Sequence, residues 1–352
     1  MPTPITPLTT QTQSDPLHLK DRMPYLMRRG LLRRACRCFF ESRGYIEVET
    51  PYAVNTPGEE VHLLPFVTEY ETPTGVRHRL FLHTSPEFAM KRIIAAINLP
   101  IFQFARVWRN AENSSQHTSE FTMLEWYRPN IGLDELMEET QALIQSLFPS
   151  TLQYGSFNID LSQPFERLTL EEAFQQYAHC DDLLSTQGDA QKLAYAAQCP
   201  LRKGESWEDL FFRLLLERVE PAIGRTRPTF LTHWPIEQAA LACKSPRDPR
   251  VALRFELYLA GIELANAFEE LTDATEQRDR FEKDRFRRTN LYPHRPQWPI
   301  DDSLLTALSY MPRCSGIALG FDRLVMLACS TPRIQDVLWI NDHITATISY
   351  SS

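Results

Sequence analysis

The stretch from 104 to 129, FARVWRNAENSSQHTSEFTMLEWYRP, constrains the fold of this chain more than any other. Residues 104–108 alternate as a strand does, the polar residues 110–119 read as a loop, and 121–127 read as a returning strand. Arg109 then stands at the end of the first strand, facing whatever lies above the sheet. An Arg before a polar loop is usually a solvated charge. Its planar fork, however, holds a phosphate or carboxylate through two bonds, as a Lys cannot.

The rest of the chain supplies elements around that hairpin. Apolar residues at helical spacing predict a helix over 23–43, Gly44 is a natural stop, and 45–51 is an alternating strand ended by Pro51. Ser85, Pro86 and Glu87 follow a strand-like 79–82 and open a helix over 88–96, where a carboxylate is favoured by the helix dipole. Between about 166 and 227, amphipathic helical segments at 168–177, 191–197 and 207–219 are separated by Gly and Pro. Trp207, Phe211 and Phe212 read as core packing.

Glutamates at 256, 263 and 270 recur every seven residues, which invites a helical face. Gly261 with its apolar and aromatic flanks argues instead for two strands meeting at Ala260-Gly261. In that hairpin Glu263 lies opposite Tyr258, which shares its face with Glu256. Two carboxylates on one sheet face are costly unless cations neutralise them. A charged, solvated helix over 273–288 follows, and then 315–327 reads as a strand running into a helix. Glycines at such a helix start, Gly316 and Gly320, commonly admit a phosphate-bearing ligand.

RNAENSSQHTSEFTMLEWY resembles motif 2 of class II aminoacyl-tRNA synthetases, in the lysyl branch. Residues 23–51 resemble motif 1 and 315–327 resemble motif 3, so the resemblance covers nearly everything from Met23 to Cys329. It implies an α+β catalytic domain over 22–352: an antiparallel sheet flanked by helices, with a helical insertion at about 166–227 and motif 1 as a dimer interface. It also implies that ATP and Mg²⁺ activate a lysine-type amino acid as an acyl-adenylate. By the same resemblance Arg109 grips the α-phosphate, Arg323 the γ-phosphate side, and Phe121 stacks on adenine. Asn110, Ala111, His117, Thr118, Glu263, Leu264 and Gly320 complete the ATP site. Glu256 and Glu263 are the implied Mg²⁺ ligands, and Arg109, Arg323 and Glu263 the implied catalytic residues. The implied substrate contacts are Ser85, Pro86 and Glu87 at the amine, Glu125, Tyr127 and Asn266 along the acid, Glu270 at the side-chain ammonium, and Ala318. Ala111 departs from the motif, standing where it carries the Glu of Arg-x-Glu, and Glu112 follows one residue later. Thr118 stands at a common Asn, and Ala267 at a usual Gly.

Charge and length narrow the expectation. A net charge of −8, from 45 acidic against 37 basic side chains, leaves tRNA an improbable main partner, because phosphate neutralisation supplies most nucleic-acid affinity. The seven cysteines are odd in number and lack Cys-x-x-Cys, which suits reduced thiols in the cytoplasm. Residues 1–21 read as a disordered tail, and no apolar run reaches the ~20 residues of a membrane span. The motifs begin with no room before them for an anticodon-binding barrel. The sequence therefore looks similar to the synthetase-derived lysine ligases of elongation factor P, a family that transfers an activated lysine, preferably (R)-β-lysine, to a lysine side chain of that factor. Ala318, where lysyl-tRNA synthetases carry Gly, suits the β-amino acid. Two alternatives are a tRNA-charging enzyme and a non-catalytic amino-acid-binding regulator.

Overall fold

The computed structural model describes residues 16–340. Helix α1 (Pro16–Glu41) ends in a turn at Gly44, whose φ of +78° suits glycine, and delivers β1 (Ile46–Glu47). Next comes a small sheet of β2 (Ala53–Val54), β3 (Phe66–Glu71) and β4 (Arg77–Leu82), in the order β2-β4-β3, and then α2 (Glu87–Ile97). Strands β5 (Ile101–Trp108) and β6 (Glu120–Pro129) form the expected hairpin, Phe104 opposite Leu124 and Trp108 opposite Glu120. Helix α3 (Leu133–Leu147), the hairpin of β7 (Thr151–Tyr154) and β8 (Phe157–Asp160), and the edge strand β9 (Glu166–Thr169) lead into α4 (Leu170–Ala178), α5 (Ala190–Ala196) and α6 (Trp207–Leu214). The chain returns to the sheet through β10 (Thr229–Pro235), β11 (Val251–Leu259) and β12 (Ile262–Glu269). It then runs through α7 (Ala274–Leu291), α8 (Asp302–Leu308), β13 (Cys314–Gly320) and α9 (Phe321–Cys329).

Eight strands form one sheet in the order β1-β5-β6-β13-β12-β11-β10-β9. Its six central strands pair antiparallel as expected, while the edge pairs β1/β5 and β9/β10 are parallel. The α+β expectation holds. One core packs α1, α3 and α9 against one face of the sheet, and a second core belongs to the helical insertion. In the latter, Phe211 stacks on Phe174 at 5.2 Å and on Trp207 at 5.0 Å, as core packing predicts.

Several boundaries differ from the sequence reading. Helix α1 starts at Pro16 and carries Pro24 inside it, so residues 16–21, expected in the tail, are helical, and the helix begins earlier than the apolar spacing over 23–43 suggests. Residues 1–15 of the expected tail, and 341–352, lie outside the described residues. The segment read as the start of the helical insertion is β9, which extends the main sheet.

The two strands at Ala260-Gly261 form as expected. Both turn residues have positive φ, 58° and 73°, the signature of a tight two-residue hairpin. Tyr258 does lie opposite Glu263, but the register then slips: Leu257 pairs with Ala265, leaving Leu264 as an extra residue. This bulge matters because Glu263 and Glu270 are an odd number of residues apart. A regular strand would put them on opposite faces, and one extra residue restores them to the same one.

Arg29 of α1 binds the two other segments that define the domain. Its guanidinium pairs with Asp322 of α9 and donates to Thr122 Oγ1 of β6 at 2.9 Å, while Asp322 Oδ2 accepts the Thr122 backbone N–H at 2.8 Å. All three residues are buried. Replacing Arg29 with Met strands Asp322 without its cation, and urea unfolding is expected to show a loss of about 3–5 kcal/mol. The half-exposed Arg37–Glu47 pair serves as control, with Glu47→Gln costing no more than about 1 kcal/mol.

Candidate active site

The cross-strand register assembles the site in a row. Glu125 of β6, Ala318 of β13, Asn266 of β12 and Glu256 of β11 are successive Cα partners across four strands. In the next row Tyr127 faces Gly316. Above them is a cavity of about 410 Å³, a size that fits small ligands. Its lining includes Ser85, Glu87, Arg109, His117, Thr118, Phe121, Glu263, Leu264, Asn266, Ala318, Gly320 and Arg323. These residues come from four separated stretches of chain and line one cavity.

Other expected residues are placed differently. Glu125, Tyr127 and Glu270 are sealed beneath the cavity floor, 1 %, 2 % and 2 % exposed, rather than lining it. Pro86 turns toward a neighbouring cleft with Pro51 and Arg79. Asn110 and Ala111 are exposed on the hairpin loop, Ala111 at φ +66°, with its N–H donating to Asn110 Oδ1. Glu112, one residue further on, reaches the cavity wall instead. Burial raises its pKa, and the nearby Arg109 and Arg323 charges oppose that rise.

The cationic wall is prearranged. The Arg109 guanidinium lies over the Phe121 ring, 5.2 Å from its centroid, and the Arg109 N–H closes the hairpin loop on Ser119 O at 2.9 Å. Arg323 donates to Glu263 O at 2.6 Å and to His117 Nε2 at 2.5 Å. Burial and the Arg323 charge push the His117 pKa down to about 4. The ring is therefore neutral. With Nε2 accepting from Arg323, Nδ1 carries the proton and donates to Ser114 Oγ at 2.8 Å. His117 orients Arg323 and brings no charge of its own.

A second group of carboxylates surrounds Tyr258. Its hydroxyl lies 2.7 Å from Glu256 and 3.0 Å from Glu220, and Arg254 pairs with Glu256. Burial raises the pKa of both glutamates, and Glu263 raises each further. Clustered carboxylate oxygens are the donors that Mg²⁺ prefers. Among the described residues no three His, Cys, Asp or Glu converge on one metal position.

Beneath the floor, Glu125 accepts from Tyr127 Oη at 2.8 Å and from Ser85 Oγ at 3.0 Å, while Ser85 Oγ also accepts the Glu87 N–H at 3.0 Å. Gly316 is required here, since a Cβ on it would lie 2.2 Å from the Tyr127 ring and 2.5 Å from Glu270 Oε1. Sequence reasoning missed three contributors: Lys91, Glu220 and Arg254. Lys91 left a signal, a cation four residues after Glu87 on the same helix face.

Comparison with known proteins bears on this geometry. The family described as tRNA synthetases class II (D, K and N) matches residues 17–340. A relative from Salmonella arizonae named elongation factor P--(R)-beta-lysine ligase is 42% identical over 320 residues, spanning 90% of this chain and 94% of its own. Relatives of the same name from Salmonella dublin and Salmonella paratyphi B are also 42% identical, with the same shares covered.

Burial, and next the Glu87 charge, push the Glu125 pKa up to about 8, against the hydrogen bonds from Tyr127 and Ser85. A carboxyl raised this far is expected to carry a proton at pH 7, which an arriving ammonium must expel. Lysine affinity is expected to rise about tenfold per pH unit below 8 and then level off. Calorimetry in two buffers at pH 7 checks this, since it reads the protons released as lysine binds; no release counts against it.

Proposed function

The chain belongs to the class II tRNA synthetases of the D, K and N type, and from that membership we propose that it activates (R)-β-lysine with ATP and transfers it to a lysine side chain of elongation factor P. The observation that carries this reading is the pairing of three buried carboxylates, Glu87, Glu125 and Glu270, with a cavity wall that holds Arg109 and Arg323. The carboxylates suit an acid with two amines, and the arginines suit a polyphosphate.

The chemistry follows from bringing two anions together. The amino-acid carboxylate attacks the α-phosphorus of ATP, the bond to the β,γ-phosphates breaks, and pyrophosphate leaves an acyl-adenylate. Arg109 holds the α-phosphate and Arg323 the far phosphates, so their charges offset repulsion and keep the groups in line. Glu256 and Glu263 are the residues to hold Mg²⁺, which neutralises phosphate charge when bound. Phe121 supplies the face for adenine, Thr118, Leu264 and Gly320 the surrounding wall, and Asn266 a polar contact to the acid. A neutral amine of the partner protein then attacks the acyl carbonyl, loses its proton, and releases AMP. The ligase itself contributes no nucleophile to either step.

The methyl of Ala318 stands in the row between Glu125 and Asn266. It takes space beside the substrate backbone, and one methyl is worth only ~1 to 3 kcal/mol of discrimination. Incubating elongation factor P with the protein, ATP and either amino acid is expected to add one lysyl mass with (R)-β-lysine, and to do so about 10- to 100-fold more slowly with α-lysine. Intact-mass spectrometry reads the product. Charging of bulk tRNA without modification of the factor would overturn the proposal, although the net charge of −8 offers tRNA little attraction. Action on a translation factor puts the protein in the cytoplasm, and among the described residues no helix is long and apolar enough to cross a membrane.

Homodimerisation belongs to the same proposal. Helix α1 and strand β1 expose Met27, Leu31 and Ile46 at 59 %, 59 % and 43 %. A two-fold contact covers such a patch with its own copy. Light scattering at micromolar concentration is expected to give twice the chain mass of 40.8 kDa; a monomer rejects this assembly.

A further inference from the structure

Lys91 is a charged residue in the one place where the site has no open space. It lies one helical turn after Glu87 on α2 and is 1 % exposed. Its ammonium nitrogen is 2.6 Å from Glu87 Oε1 and 2.6 Å from Glu270 Oε2, so it ties the start of α2 to the end of β12. A buried ammonium is retained only where carboxylates surround it. Burial favours its neutral form, yet Glu270 and Glu87 outweigh that and hold its pKa well above the ordinary lysine value. Burial likewise raises the Glu270 pKa, Lys91 pulls it back, and Glu87 adds to the rise. The titratable groups that face this pair from the neighbouring strands and loops are Glu125, Tyr127, Cys243 and Cys314.

The other oxygen of Glu270 shows what the arrangement is for. Glu270 Oε1 is buried without a hydrogen-bond partner, close against Gly316 and 2.5 Å from where a Cβ on that residue would stand. Lys91 thus pairs with one oxygen of Glu270 and leaves the second with no hydrogen-bond partner. We propose that Lys91 is a positioning residue for the diamine substrate, a fixed ammonium that draws Glu87 and Glu270 together and leaves each carboxylate one oxygen for a substrate amine. The inference rests on the functional reading above and extends it. Lys91 makes no contact with the reacting carboxylate or with ATP. It acts through the two glutamates, and it remains in place when substrate is bound. Without it, two carboxylates that had shared one cation repel each other in a buried site, and one of them takes up a proton at neutral pH.

Lys91→Met keeps the length of the side chain and removes its charge. In (R)-β-lysine-dependent ATP–pyrophosphate exchange, the variant is expected to raise KM for the amino acid roughly tenfold at pH 7, because each unit by which loss of the Lys91 charge raises the shared carboxyl further cuts its ionised fraction about tenfold. KM for ATP stays unchanged, and kcat falls far less than the amino-acid KM rises. A general loss of packing would move all three together. The second readout is proton release on (R)-β-lysine binding, measured by calorimetry in two buffers of different ionisation enthalpy. Measured at pH 8, it is expected to rise over the unmodified protein, because without Lys91 the shared carboxyl keeps its proton to higher pH and must then expel it.

A folded variant with unchanged amino-acid KM and unchanged proton release overturns the role of Lys91 while the functional reading stands. Failure of the unmodified protein to exchange pyrophosphate with (R)-β-lysine overturns the functional reading, and this inference with it. Should the variant not fold, ¹⁵N-lysine labelling of the unmodified protein decides. A protected Lys91 ammonium signal that persists on saturation with (R)-β-lysine supports the positioning role. A signal that moves to rapid solvent exchange means that Lys91 only stood in for the substrate amine, and sinks it.

Discussion

The Arg29–Asp322 pair, clasped around Thr122, is the contact on which the arrangement of the domain depends. Asp322 stands in the first turn of α9, two residues after Gly320, and Thr122 in the strand that carries Glu125 and Tyr127. One buried ion pair therefore fixes the long first helix, the central hairpin and the last strand-to-helix turn against one another. Arg323, next to Asp322, inherits its direction from this anchor and reaches Glu263 and His117. Burying the pair is costly by itself. Satisfying both Asp322 oxygens and both ends of the guanidinium makes the burial tolerable and the geometry unique.

The floor of the site answers one electrostatic problem in three ways. Glu256 has a guanidinium and a phenol beside it, and Glu87 and Glu270 share the ammonium of Lys91. Glu125 has only neutral donors, the hydroxyls of Tyr127 and Ser85. Burial moves its pKa up to about 8, and it does the same to Glu270 even against the pull of Lys91, so both carboxyls lie within reach of physiological pH. The bulge at Leu264 is the backbone counterpart of this division. It turns Glu263 onto the face of Asn266 and Glu256, concentrating negative charge that only a cation can relieve.

Local sequence determined the elements whose signals are local. The alternation on either side of the 110–119 loop, the glycine at 261 between apolar flanks, and the Gly44 stop each specify a turn that forms where the residues require it. Residue types at the cavity wall were legible for the same reason, since Arg109, Phe121, Glu263 and Arg323 stand at the ends of those elements. The beginning of α1 was not legible, because Pro24 lies inside a helix whose stability comes from packing against the sheet rather than from its own propensity. Nor was β9, four residues long and stabilised by pairing with β10, sixty residues away in the chain.

Tertiary structure alone decided what each charge in the site meets. Nothing near Glu125 in sequence states that it is buried with neutral partners, and nothing near Lys91 states that Glu270 closes its second side. Both facts depend on the register of β6, β13 and β12 and on where α2 docks above them. Ala111 makes the same point on the surface. Its left-handed backbone puts Glu112 on the cavity wall, a placement set by the loop's closure through Arg109 and Ser119. Sequence by itself thus fixed which chemical groups are present and which turns carry them, since those follow from short-range sterics and periodicity. The ionisation and orientation of those groups follow from distances of a few ångströms between residues far apart in the chain, and only the packed fold sets those distances.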